Sequence, residues 1–195
     1  MTDTNFTDVT IVGSGSWATA MTMVLTANNR RVTWYIDRPE IFRHVRRYHQ
    51  NPHYLSSVQF DPSLVVPADD INKAVRSSST IVLVTPAAFL KHELEGLDST
   101  AFDGRMICSG IKGIVPGNNM VVGEYIHSEY NVPYNNIVII TGPSHAEEVS
   151  MEKLTYLTFA SPDREKASFV AGLFANRWMM TNISKDIFGT EYAAV

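Results

Sequence analysis

The stretch Asp8-Val9-Thr10-Ile11-Val12-Gly13-Ser14-Gly15-Ser16-Trp17-Ala18 decides how this 195-residue chain folds. Its first half is a near-continuous β-branched run, the composition of a strand covered on both faces. Its second half, G-x-G-x-x-A, opens an apolar helix through Met21, Val24 and Leu25. In that order the small residues have separate tasks. Gly13 permits the tight turn, Gly15 lets a pyrophosphate approach the backbone, and Ala18 allows close helix–strand packing. Ser14, Ser16 and Trp17 lie on the same turn, where N–H groups at a helix start can meet anionic oxygens. A plain structural turn uses similar glycines, so the dinucleotide reading rests on the ordered series of strand, glycines, helix and second strand.

Working outward, further near-continuous apolar runs at Arg31–Ile36, Ile81–Val84, Met106–Cys108, Ile137–Thr141 and Leu154–Phe159 read as buried strands. Between them, Trp17–Ala27, Glu40–Gln50, Ile71–Val75, Phe89–Leu94, Met120–Glu129 and Arg164–Phe174 suit helices. The alternation predicts a Rossmann-like, doubly wound α/β fold: a mostly parallel sheet with helices on both faces. The length suits one substantial core.

Three later stretches carry candidate chemistry. Asp37 follows the second strand about 20 residues past the glycines, where an acid reads a ribose and favours NAD. Arg38 beside it can pair with the 2′-phosphate of NADP, so NAD and NADP both stay open, as does an ordinary exposed ion pair. Lys112, in Cys108-Ser109-Gly110-Ile111-Lys112-Gly113, follows a buried strand and can attract a phosphate or hold a hydroxyl, or simply be a solvated loop lysine. Thr141-Gly142-Pro143-Ser144-His145-Ala146 also follows a strand and has helix-start character.

Composition removes other classes. Hydrophobic residues make up 45% of the chain and charged residues 18%, enough apolar surface to offset the entropy of folding. A net charge of -4 gives no broad attraction for nucleic acid. The single cysteine, Cys108, cannot close an internal disulfide and reads as a small buried hydrophobe in a reduced compartment. No metal cluster is expected, and Arg43, His44, Arg46, Arg47 and His49 read as a solvated basic helix face. The amino-terminal residues show no leader pattern and no run approaches a membrane span, which predicts a cytoplasmic protein.

Four blocks, taken together, resemble the bacterial-type NAD(P)-dependent glycerol-3-phosphate dehydrogenases: GlySerGlySerTrpAlaThrAla at 13–20, AsnProHisTyrLeu at 51–55, LysGlyIleValProGly at 112–117 and GlyProSerHisAlaGluGluVal at 142–149. The resemblance implies that Ser16, Trp17, Tyr54, Phe89 and Ala146 belong to the cofactor site. It further implies that Lys112 contacts cofactor and substrate, and that Gly142 and Ser144 help hold sn-glycerol 3-phosphate. Hydride transfer would yield dihydroxyacetone phosphate, in the direction of reduction, feeding phospholipid synthesis. Family members continue into a helical domain with a leucine-lysine-asparagine motif carrying the proposed general base. Residues 1–184 are therefore expected to form the dinucleotide-binding domain and 185–195 the start of a connection to a substrate domain. A homodimer is an admissible assembly. Lys185 lacks the neighbours of a catalytic base. The alternatives are the nucleotide half of another two-domain hydroxyacid dehydrogenase and a non-enzymatic nucleotide-sensing module.

Overall fold

The computed structural model describes residues 7–195. Residues 1–6, on which part of the leader reading falls, lie outside the described residues. The founding β-branched run forms β1 (Val9–Val12), and the helix behind the glycines is α1 (Ser16–Ala27). β2 (Val32–Tyr35), α2 (Pro39–Tyr48), β3 (Val65–Ala68) and α3 (Ile71–Arg76) complete the first wing. The chain then returns to the centre through β4 (Thr80–Leu83), α4 (Leu90–Glu93) and β5 (Met106–Ser109). A small antiparallel pair, β6 (Ile114–Val115) and β7 (Met120–Val121), leads into α5 (Val122–Tyr130). β8 (Ile137–Thr141), α6 (Ala146–Ser150), β9 (Thr155–Ala160), α7 (Arg164–Phe174), β10 (Met179–Ser184) and α8 (Ile187–Tyr192) follow.

Eight strands form one sheet in the order β10-β9-β8-β5-β4-β1-β2-β3. The run from β3 to β8 is parallel throughout, with Ile11 opposite Trp34 on one side and Val82 on the other. β9 turns antiparallel to β8, and β10 runs parallel to β9. The expected mostly parallel sheet is therefore present. Its order reverses direction between β1 and β4, and such a reversal opens a crevice at the carboxyl ends of the two strands.

Strand burial alternates between two cores, as helices on both faces require. Val82, Cys108, Val138 and Ile140 pack into one core with α1, α2, α6 and α7 residues such as Met21, Ile41, Val149 and Val170. Ile81, Leu83, Ile107 and Ile139 pack into the other with Ile71, Leu90, Val122 and Ile187 from α3, α4, α5 and α8. Cys108 is wholly buried, and burial pushes its thiol pKa up.

Several boundaries differ from expectation. The helix expected from Met120 begins at Val122, because Met120 and Val121 pair with Val115 and Ile114. α2 stops at Tyr48, where His49 adopts a left-handed φ of 57°. Near the carboxyl end, Ile187 is 3% exposed in the second core, whereas Phe188, Tyr192 and Val195 are exposed.

α8 is fastened by an unusual group. The Glu191 carboxylate is buried and accepts the Gly123 N–H at 2.8 Å, at the start of α5. A Cβ at Gly123 would stand 2.7 Å from Glu191 Oε2, so only glycine leaves room for this contact. Burial is the main cause that pushes the Glu191 pKa up to about 7. The folded chain thus holds this proton more tightly than the unfolded chain, whose carboxyl titrates near 4.5. The contribution is complete below about pH 4.5 and is lost as pH rises to about 7, about 3 kcal/mol in all. The expected result in thermal melts is that wild type loses stability over this interval and that Glu191→Gln loses less. Parallel pH profiles for the two proteins would contradict the assignment.

Candidate functional site

The site begins with a backbone contact. Gly13 ends β1 at φ +129°, and a Cβ there would meet the Val84 and Thr85 backbone at 3.1–3.2 Å. Strand β4 can therefore run close beside the turn only because position 13 has no side chain. The buried Trp34 indole clamps the same turn by donating to Gly13 O at 2.7 Å. Gly15, the N-cap of α1, is different: a Cβ there would find nothing within 4 Å, and no side chain caps the helix. One glycine is required by the fold, while the other leaves an open cradle before a helix start that favours anions.

A crevice of about 810 Å³ opens from this cradle along the carboxyl ends of the strands. Its first wall holds Ser14, Gly15, Ser16, Trp17, Asp37, Arg38 and Tyr54. Phe89, Lys112, Gly142, Ser144 and Ala146 lie on the rest of the lining. Gly13 sits beneath it as the turn itself. The sequence-predicted residues, though scattered from 13 to 146, thus converge on one concavity.

Their hydrogen bonds divide the labour. Ser14 donates to Asp37 Oδ1 at 2.7 Å, which aims this carboxylate from the end of β2 toward the glycine turn. The Arg38 guanidinium lies 5.7 Å over the Tyr54 ring and donates to its hydroxyl at 3.4 Å. At the far end, Lys112 Nζ donates to Gly142 O at 3.3 Å, joining the β5 and β8 loops. Gly142 cannot carry a side chain, because its Cβ would fall 2.2 Å from Tyr156 O. The Ser144 hydroxyl donates to that Tyr156 carbonyl at 3.1 Å.

Two residues to which the sequence reading gave no role in the site shape it. Asn51 is wholly buried and uses both ends of its amide. Its Nδ2 donates to Ser14 O at 3.1 Å and to Thr19 Oγ1 at 2.9 Å, while its Oδ1 accepts the N–H groups of His53 and Tyr54. It ties the loop bearing Tyr54 to the glycine turn. An asparagine directly before proline is a turn signal, and that was the available hint. Glu93, the last residue of α4, lines the crevice at 4% exposure, with its Oε1 accepting from Thr85 Oγ1 at 3.3 Å. Burial first, then the Asp37 charge, push its pKa up to about 7.

Among the described residues, no group of three His, Cys, Asp or Glu side chains is arranged to hold a metal ion. No described helix is long and apolar enough to cross a membrane.

A doubly wound sheet, a crevice at its reversal point and a glycine turn at a bare helix start together define a dinucleotide-binding domain. The sequence profile described as the amino-terminal part of NAD-dependent glycerol-3-phosphate dehydrogenase matches residues 8–167, and the chain belongs to that family. Membership makes the cofactor NAD or NADP. A glycerol-3-phosphate dehydrogenase [NAD(P)+] of Bacillus cytotoxicus is 32% identical over 188 residues, which cover 95% of this chain and 54% of the relative. The chain therefore spans about half the length of the curated relatives it matches. Among solved structures, glycerol-3-phosphate dehydrogenase from Coxiella burnetii superposes with a TM-score of 0.84 at 20% identity, covering 97% of this chain and 57% of that one. The Dunaliella salina enzyme gives 0.84 at 21% identity, over 97% and 35%. At such identities the structures speak for the fold.

The two glycines separate folding from binding. Gly13→Ala is expected to lower the melting temperature and dinucleotide affinity together, because backbone must move. Gly15→Ala is expected to keep the melting temperature within a few degrees and weaken NADH binding at least tenfold, because its methyl fills only the cradle. Calorimetry and thermal melts on both variants check this. Unimpaired NADH binding by Gly15→Ala would remove the pyrophosphate from that position.

Proposed function

We propose that this chain is the cofactor-binding portion of an oxidoreductase that interconverts sn-glycerol 3-phosphate and dihydroxyacetone phosphate. The observation that carries the reading is the open cradle at Gly15, at the head of a crevice of about 810 Å³ whose lining includes both Asp37 and Lys112. The pyrophosphate meets the N–H groups at the start of α1, and Ser16 and Trp17 flank it. Asp37, aimed by Ser14, accepts from the adenosine ribose. Tyr54, Phe89 and Ala146 complete the cofactor wall.

When bound, the nicotinamide exchanges a hydride with the carbinol carbon of the substrate. The chain's own residues bind and orient. Lys112 places a cation at the β5 end, where substrate oxygens and phosphate gather, while its bond to Gly142 O fixes the ammonium between two loops. Gly142 and Ser144 form the adjoining shelf. The Ser144 hydroxyl points to Tyr156 O in this arrangement, so Ser144 meets the substrate by turning its hydroxyl or through its N–H. The family resemblance implies that the general base lies outside these residues. Residues 1–184 are the cofactor domain in this reading, and 185–195 lead toward a helical substrate domain. We further assign the protein to the cytoplasm, to no nucleic-acid partner, and to a homodimer as its admissible assembly.

Calorimetry with NADH and a turnover assay test the reading. The 195-residue chain is expected to bind NADH with a measurable Kd while showing no oxidation of glycerol 3-phosphate. Absence of NADH binding would overturn the cofactor assignment. Turnover by the purified chain would show that the base lies within it. In the full-length enzyme, Lys112→Met is expected to lower kcat/KM by at least 100-fold, on the order of 3 kcal/mol of transition-state stabilisation. Near-normal kinetics in a folded variant would return Lys112 to the role of a solvated lysine.

A further inference from the structure

Glu93 is not among the residues implied by the family resemblance, yet it is the most unusual group in the crevice. The residue is 4% exposed, and among the described residues only one of its carboxylate oxygens has a partner. Oε2 is shielded from solvent and has no hydrogen-bond partner among the described residues, on a side chain that lines the crevice. A buried acceptor left unpartnered costs free energy, so its retention beside a ligand crevice points to a partner that arrives with the ligand. The acid stands at the Asp37 end of the crevice. Asp37 acts on its charge from the β2 end, and the Tyr35 phenol on β2 feels both carboxylates.

We propose that Glu93 is a specificity-determining residue at the adenosine end of the crevice, whose unpartnered Oε2, uncovered as the side chain turns toward an entering ligand, accepts a hydrogen bond from a ribose hydroxyl and whose charge, with that of Asp37, disfavours a 2′-phosphate. This rests on the dinucleotide reading above and deepens it from NAD or NADP to NAD. Two acids near one ribose give a hydroxyl two acceptors, whereas a 2′-phosphate brings negative charge against both. Arg38 is the cation that could compensate, and its guanidinium is drawn onto the Tyr54 ring and hydroxyl.

The charge of Glu93 varies through neutrality, so the discrimination depends on pH. The groups facing it are Tyr35, Asp37 and Arg38 from β2 and its loop and His92 from its own helix. Asp69 and Asp70, before α3, act on the same Tyr35. As Glu93 ionises, acceptance of a hydroxyl strengthens and repulsion of a 2′-phosphate grows, so selectivity for NADH over NADPH rises with pH.

The test measures Kd for NADH and NADPH at pH 6 and pH 8 on wild type, the near-isosteric Glu93→Gln and the apolar Glu93→Val. The Kd ratio, NADPH over NADH, is expected to rise about tenfold in wild type across this interval. It should rise less than threefold in both variants, which removes the titration of the ligand phosphate as the cause. A merely structural role would weaken both ligands together and leave the ratio unchanged. Wild-type and variant ratios that move in parallel would overturn the proposal while leaving the cofactor reading intact. Failure of wild type to bind either dinucleotide would overturn both. Glu93→Val removes the need for any buried partner, so a folding failure confined to Glu93→Gln still leaves a variant that decides the question.

Discussion

The approach of the Gly13 turn to the backbone of Val84 and Thr85 is the constraint on which the rest of the structure depends. Strands β1 and β4 are neighbours in the sheet, yet they belong to opposite wings of the winding. A side chain at position 13 would wedge them apart just where the wings diverge. Backbone meeting backbone here keeps the sheet continuous below the turn and lets the loops splay above it, producing a crevice. The Trp34 bond to Gly13 O supplies the complementary restraint from the other side, across β2.

From that point outward, the site is built by polar groups that serve the turn before they serve any ligand. Asn51 reaches across to Ser14 O and Thr19, so the loop carrying Tyr54 inherits the position of the glycine turn. Ser14 then aims Asp37. The buried amide has four hydrogen-bond partners, and any replacement leaves several backbone groups without partners at once. The Asp37 end of the crevice is therefore held by several hydrogen bonds that share one buried side chain. At the Lys112 end one long side chain spans to Gly142 O at 3.3 Å, the Ile111 N–H donates to Ser109 Oγ at 3.3 Å and the Ser144 hydroxyl to Tyr156 O at 3.1 Å, so each loop is held by separate bonds.

Legibility in the sequence followed burial. The runs that became β1, β2, β4, β5, β8 and β9 could be read because strands covered on both faces are almost wholly apolar. β3 and β10 could not. They are the two edges of the sheet, β3 contains Pro67, and β10 alternates Asn182 and Ser184 with apolar residues, so neither shows a continuous core signal. The glycine turn was legible because its chemistry is local, all within six residues. Lys112, Gly142 and Ser144 were ambiguous by themselves and gained meaning only through the order of the blocks. Glu93 was invisible for a physical reason. On a short helix it reads as an ordinary solvated acid, and only the approach of Thr85 and the crevice wall to α4 buries it.

The two raised carboxyls, Glu93 and Glu191, show how one chemical device acquires different meanings from its surroundings. Both are 4% exposed and both are pushed up to about 7, chiefly by burial. Glu191 has found a main-chain donor, the Gly123 N–H, in a niche that a glycine leaves open, so its proton affinity is a matter of how α8 is fastened. Among the described residues Glu93 has only the Thr85 hydroxyl as donor, and its second oxygen is without a partner on a side chain that lines the crevice. A carboxylate whose partners are all internal tunes stability, whereas one with an acceptor left over beside an open cavity has affinity in reserve for a donor from outside. The difference lies in the number and origin of the hydrogen-bond donors each side chain meets, which is why burial and proton affinity alone do not distinguish a structural acid from a recognising one.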